Sequence, residues 1–212
     1  NYLSRYGWEI HQREKVESKE RGDIKQWTRF EISAAIDEAF FEVWRHRSQL
    51  GRLQSHILTP HLQPDNYPRE IRGSLRDAAT YLWAEHISNA QHWRPEQQSA
   101  LHQQSLEVML SEQPNQIQPN RLEHHPLLRA VSVLADLEKW HRSNSRLESA
   151  LEAYLSRQQM LARHYLGSGP MVAKSRRYFI AELNARLNES RQFPWWAMGM
   201  EWLANLHKNA DA

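Results

Sequence analysis

Apolar residues recur at helical spacing along most of the chain. Ile32, Ile36, Phe40, Val43 and Trp44 fall on one face of a 3.6-residue period. Thr28 and Glu31 stand just before them as a T-x-x-E capping box, with Trp27 placed to staple onto Ile32. Gly51 supplies a stop, so the pattern predicts a helix over 29–50. A short helical piece follows over 52–63, ended by Pro60. Ser74 and Asp77 resemble another cap and lead into Leu75, Ala78, Ala79, Leu82, Trp83, His86 and Ile87. Pro95 sits in the first turn of the next helix, which Leu101, Ser105, Val108 and Met109 are expected to continue.

The 111–125 stretch, with Pro114 and Pro119, is the longest predicted loop and a point where two subdomains would divide. Pro126 then opens a helix carrying Leu127, Val131, Leu134, Leu137 and Trp140. Ser145 and Glu148 read as a second capping box, ahead of Leu147, Leu151, Tyr154, Leu155, Leu161 and Tyr165. Breaks at Gly167–Pro170 and Phe193–Trp196 frame a helix with Tyr178, Phe179, Leu183 and Leu187. A last helix holds Met198, Trp202, Leu203 and Leu206, with Trp202 expected to be its buried anchor.

The predicted class is therefore all-α. About eight helices joined by short turns stack as antiparallel hairpins, either α-solenoid-like or as a compact bundle. No self-similar repeat near the tetratricopeptide period of about 34 residues is present. Residues 1–22 place Tyr2, Tyr6 and Ile10 at spacing four before a charged stretch, an N-terminal helix or linker. Residues 23–212 form the helical domain.

Composition narrows function by exclusion. The 27 basic and 25 acidic residues are interspersed without a block of like charge, so no nucleic-acid footprint is expected. The absence of cysteine excludes thiolate zinc sites, thiol catalysis and disulfides. No run of about 18 apolar residues exists to span a membrane. The chain begins at Asn1 without a signal peptide, as expected of a processed chain or an excised fragment.

Candidate chemistry is sparse. Twelve histidines raise the question of a metal, yet H-E-x-x-H is absent. Only Glu138 and His141 match the Glu-x-x-His element that a di-iron bundle needs twice. His124-His125 precedes Pro126 and suits a helix start better than chelation. Asp37 with Glu38, and Glu148 with Glu152, read as polar helix faces, and no G-x-S-x-G or phosphate-binding glycine loop occurs. No catalytic residue, cofactor or metal ligand is expected. Of the nine tryptophans, Trp195 and Trp196 stand out, because consecutive helical side chains diverge by about 100°. One ring can turn inward while the other serves a partner, which makes this pair the candidate partner-binding site.

Four passages carry a resemblance: DIKQWTRFEISAAIDEAFFEVWRHR, NYPREIRGSLRDAATYLWAEH, the WRPEQ segment at Trp93, and FPWWAMGMEWLANL. Together they resemble the helical N-terminal region of large bacterial alpha-2-macroglobulin-like proteins. That resemblance implies a periplasmic, envelope-associated or secreted protein that traps proteases or guards the cell surface. Some members carry a Cys–Gln thioester, which a cysteine-free chain cannot form, and the family's β-sandwich modules are missing here. The leading expectation is a non-catalytic helical scaffold or interaction domain whose partners are other domains of the same polypeptide or another protein. The rival is a cytoplasmic helical enzyme or regulator with a site assembled from loops. A groove lined by histidines and carboxylates would favour the rival, and an apolar concave face or exposed aromatic patch the scaffold.

Overall fold

The structure, a computed structural model, describes residues 24, 27–58, 67–110, 117–167 and 171–208. The expected N-terminal helix or linker over 1–22 lies outside the described residues, as does the end of the 52–63 piece. Within them the chain is all-helical: α1 (Arg29–Arg45), α2 (Arg47–Leu50), α3 (Leu75–Ser88), α4 (Pro95–Ala100), α5 (Leu106–Leu110), α6 (Pro126–Ser143), α7 (Leu147–Tyr165), α8 (Val172–Asn188) and α9 (Trp196–Lys208). Short 3-10 turns lie at Ser55–Leu58, Ala90–His92 and Leu101–Gln103. No strand occurs among the described residues, where the one extended pairing is an isolated bridge between Gln54 and Ser74.

Helices α6 and α7 form the centre. Twelve of eighteen residues in α6 and twelve of nineteen in α7 are buried, far more than one apolar stripe. They pack on each other, α3 packs on the other side of α6, α1 lies on α3, and α8 pairs with α9. One buried cluster takes in Trp44, Trp83 and Met109 from before the 111–125 stretch and Leu127, Leu155 and Leu203 from after it. The described part of that stretch is clamped to α6: Ser132 Oγ donates to the Ile117 carbonyl at 2.8 Å and Arg129 Nε to that of Pro119 at 2.5 Å.

Local signals placed two helix starts correctly. Thr28 and Glu31 bond reciprocally at 3.2 and 2.7 Å, and Ser74 with Asp77 does the same at 3.2 and 2.8 Å. Two others resolve differently, and the Gly51 stop holds by another backbone geometry. The predicted helix through Leu101 and Met109 breaks, because Gln104 is extended and the Tyr165 hydroxyl of α7 lies 3.3 and 3.2 Å from the carbonyls of Leu101 and Gln104. The predicted 29–50 stretch, interrupted at His46, does end at Gly51 as the C-cap after Leu50, but with a right-handed backbone. A Cβ there would fall 2.5 Å from the Trp140 ring, so close approach is what needs glycine. Ser145 is not an N-cap: it has φ of 57°, the left-handed region. The N–H groups of Ser145 and Arg146 return to the carbonyls of Arg142 and His141 at 3.1 and 2.9 Å, which is a Schellman C-terminus of α6.

The docking of α9 also differs from the expectation. Trp202 is half-buried against Phe179, and the fully buried residues of α9 are Gly199, Leu203 and Leu206. Gly199 lies so close to Leu187 of α8 that a Cβ would collide with it. The two helices therefore meet through a backbone contact as well as through tryptophan.

The opposing roles for Ser145 predict opposite signs. In the left-handed position, Ser145→Gly should stabilise the protein by about 0.5–1 kcal/mol, since the L-residue penalty disappears. An N-cap serine replaced by glycine would instead cost a few tenths. Thermal melts of the two proteins read the sign directly.

Candidate binding groove

Helix α1 turns Ala34, Asp37 and Phe41 towards the start of α6, and the space between holds two adjoining cavities of about 280 and 500 Å³. Both are lined by Ala34, Asp37, Leu122 and Arg129, so they are two ends of one groove. Asp37 and Arg129 form its floor. Asp37 accepts from Arg129 at 2.5 Å and from the Trp83 indole N–H at 2.6 Å, and all three residues are buried. Leu122, 62% exposed, stands on the rim. The larger end carries Trp27, Glu31, Glu38, Phe41 and Glu42, giving it an aromatic and acidic lining.

The smaller end is lined by Phe30, Ser33, His86, His92, Trp93 and Arg94, among others. His86 and Ser33 there look like a base and a nucleophile, but the bonding argues otherwise. His86 Nε2 lies 3.2 Å from the Ser33 carbonyl and 3.4 Å from its hydroxyl. A carbonyl only accepts, so Nε2 carries the proton and cannot take one from Ser33. Burial and the adjacent His92 hold the His86 imidazolium below its ordinary range, so the ring is neutral near pH 7. His92 donates through Nδ1 to the His86 carbonyl at 3.0 Å, with the two rings 4.6 Å apart.

The carboxylates in the interior are saturated. Glu138 meets Arg142, Arg157 and Arg186 at 3.0, 3.2 and 2.8 Å. His141 instead turns to Asp77 of α3 at 2.7 Å, so the Glu-x-x-His half-motif is split between two networks. Burial pushes the Asp77 carboxyl up, but the His141 hydrogen bond and charge and the Ser74 bonds outweigh it and leave it below the usual range. Asp136 takes Arg47 and Arg76 at 3.1 and 2.7 Å. No group of three potential metal-ligating side chains occurs among the described residues.

Trp195 and Trp196 lie away from the groove, both half-buried. Trp195 is tied inward: its backbone N–H donates to Glu148 at 3.0 Å and its indole N–H to Glu152 at 2.6 Å. Glu152 is fully buried and also bonds Arg72 and, at 2.8 Å, the Ser156 hydroxyl. The Arg72 guanidinium stacks 3.5 and 3.7 Å from the ring centres of Tyr67 and Tyr81, and Tyr67 in turn packs on Trp195. The pattern at Glu148 and Glu152 had suggested only a solvated face. What corrects it is the need of a half-buried indole and a stacked guanidinium for acceptors.

No family model, curated protein or solved structure matches the chain.

Glu152 therefore predicts a severe variant. Glu152→Gln leaves Arg72 without its counter-charge and should cost about 3 kcal/mol or more, as for a buried ion pair losing one member. Trp195→Phe removes one hydrogen bond and should cost about 1 kcal/mol. Urea titrations measure both, and equal small losses would show that the cluster is not an anchor.

Proposed function

We propose that this chain is a non-catalytic helical scaffold or protein-interaction domain of a larger cell-envelope protein, and that the α1 groove is its binding face. The observation that supports this reading best is the bonding of the groove floor. Asp37, Arg129 and His86 each spend their hydrogen bonds on one another's neighbourhood, which suits a shaped, rigid surface rather than proton transfer to a substrate. Around that floor stand Trp27, Phe30, Phe41 and the exposed Leu122, aromatic and aliphatic anchors of the kind that hold protein partners, beside the carboxylates of Glu31, Glu38 and Glu42.

The resemblance to the helical region of alpha-2-macroglobulin-like proteins supports an envelope setting. Its four passages coincide with α1, with the approach to α3 and α3 itself, with the start of α4, and with α9. In this reading the partner is another domain of the same polypeptide or a second envelope protein, and Trp196, away from the groove, offers a separate contact. No helix among the described residues is long and apolar enough to cross a membrane.

One observation favours the rival reading of a cytoplasmic enzyme or regulator: Ser33, His86, His92 and Asp37 line the same cavity. Its most eligible base is His92, whose Nδ1 is held by the His86 carbonyl, which leaves Nε2 as the ring nitrogen for proton transfer.

A photo-crosslinking residue at position 122, placed in the full-length protein in its native cell, tests the proposal. The expected product joins position 122 to another segment of the polypeptide or to an envelope protein, and Ala34→Arg, at an exposed helix position that lines both ends of the groove, weakens it without shifting the melt. Crosslinks confined to cytoplasmic proteins, or a small-molecule turnover abolished by His92→Ala, would favour the rival.

A further inference from the structure

His125 caps helix α6 with its own ring. The Leu127 backbone N–H donates to Nδ1 at 3.1 Å, and on the other side Nε2 meets the Gln97 carbonyl of α4 at 2.9 Å. An amide N–H can only donate and a carbonyl can only accept. Both bonds therefore coexist in one state of the ring: neutral, with the proton on Nε2. Adding a proton to Nδ1 turns the cap into two donors facing each other. It also sets a positive charge at the start of an eighteen-residue helix, where the macrodipole is already positive.

The surroundings give that charge no relief. His125 is 7% exposed, and its ring packs edge-to-face with Trp93, ring centres 4.9 Å apart. Trp93 stacks in turn on His164 of α7 at 4.8 Å, and Arg163 adjoins His164. His86 and His92 line the cavity that Trp93 also lines, as do Arg94 and Arg129. His124 precedes the ring in sequence. The carboxylate in this set, Asp37, is already paired with Arg129.

We propose that His125 is a proton-sensitive latch, which holds the start of α6 to α4 while its ring is neutral and lets the two separate when the ring is protonated. Burial keeps His125, and with it His86 and His164, below the ordinary imidazole range. The unfolded or opened chain thus binds protons first as pH falls. The latch is fully engaged above about pH 6.5 and weakens progressively below it. This holds whatever the groove binds, although Trp93, Gln97 and Pro126 contribute to one end of it.

Nuclear magnetic resonance on the intact chain tests the latch. At pH 7.5 the His125 ring nitrogens should report the Nε2–H tautomer. On acidification the Leu127 amide should lose about tenfold or more of its exchange protection, with the same midpoint as His125 protonation. His125→Asn keeps an N-cap acceptor that does not titrate, so Leu127 should stay protected to pH 5. Three results would overturn the proposal: unchanged Leu127 protection in the wild type, a midpoint displaced from that of His125, or the same acid loss in the asparagine variant. The first two decide the matter even if that variant does not fold.

Discussion

The fold depends on charges carried inside it. Helices α6 and α7 bring Arg129, Glu138, His141, Glu152 and Arg157 into the interior, each at most 7% exposed. An unpaired buried charge costs several kcal/mol, a large share of a typical domain stability of about 5–15 kcal/mol. Each of these groups must therefore meet a partner, and the partners come from the surrounding elements. Asp37 comes from α1, Asp77 from α3, Arg72 from the segment before it, Arg186 from α8 and the Trp195 indole from the turn just before α9. Apolar packing brings these helices together, but many registers would bury the same leucines. The observed register pairs all five of these charges.

The same constraint shapes the groove. Asp37 is drawn under α1 by Arg129 and Trp83, which leaves the side chains around it to line a hollow rather than fill it. Arg129 also holds the Pro119 carbonyl, so the wall that carries Leu122 is fixed to the same helix as the floor. His125 lies one turn before Arg129 and extends that bonding to Gln97. The start of α6 is thus a junction where α1, α4 and the 117–125 segment are joined by polar bonds. A polar junction of this kind can respond to protons, which an apolar one cannot.

How much of this was legible in the sequence follows from how far each interaction reaches. Thr28 with Glu31 and Ser74 with Asp77 are bonds across three residues, and the all-α class rests on equally local periodicity. His125 was legible as part of a helix start, because Pro126 follows it. Ser145 was not, since S-x-x-E has the same form whether serine opens one helix or closes another; the backbone decides. Glu152 reads as a solvated residue because Arg72 and Trp195 lie 80 and 43 positions away. The break after Leu101 is set by Tyr165, 64 residues on. The groove was hidden for the same reason: Asp37 and Arg129 are 92 residues apart. Trp195 and Trp196 were conspicuous by composition, but composition says nothing of the Glu148 and Glu152 bonds that turn Trp195 inward.

A double-mutant cycle on Asp37 and Arg129 addresses the central claim most directly. Asp37→Asn, Arg129→Met and the double variant would each be unfolded in urea. If the buried pair sets the register, each single change costs about 3–5 kcal/mol and the double change costs much less than their sum, a coupling of about 2 kcal/mol or more. Strictly additive losses of about 1 kcal/mol would contradict that account and leave apolar packing alone as the determinant of the fold.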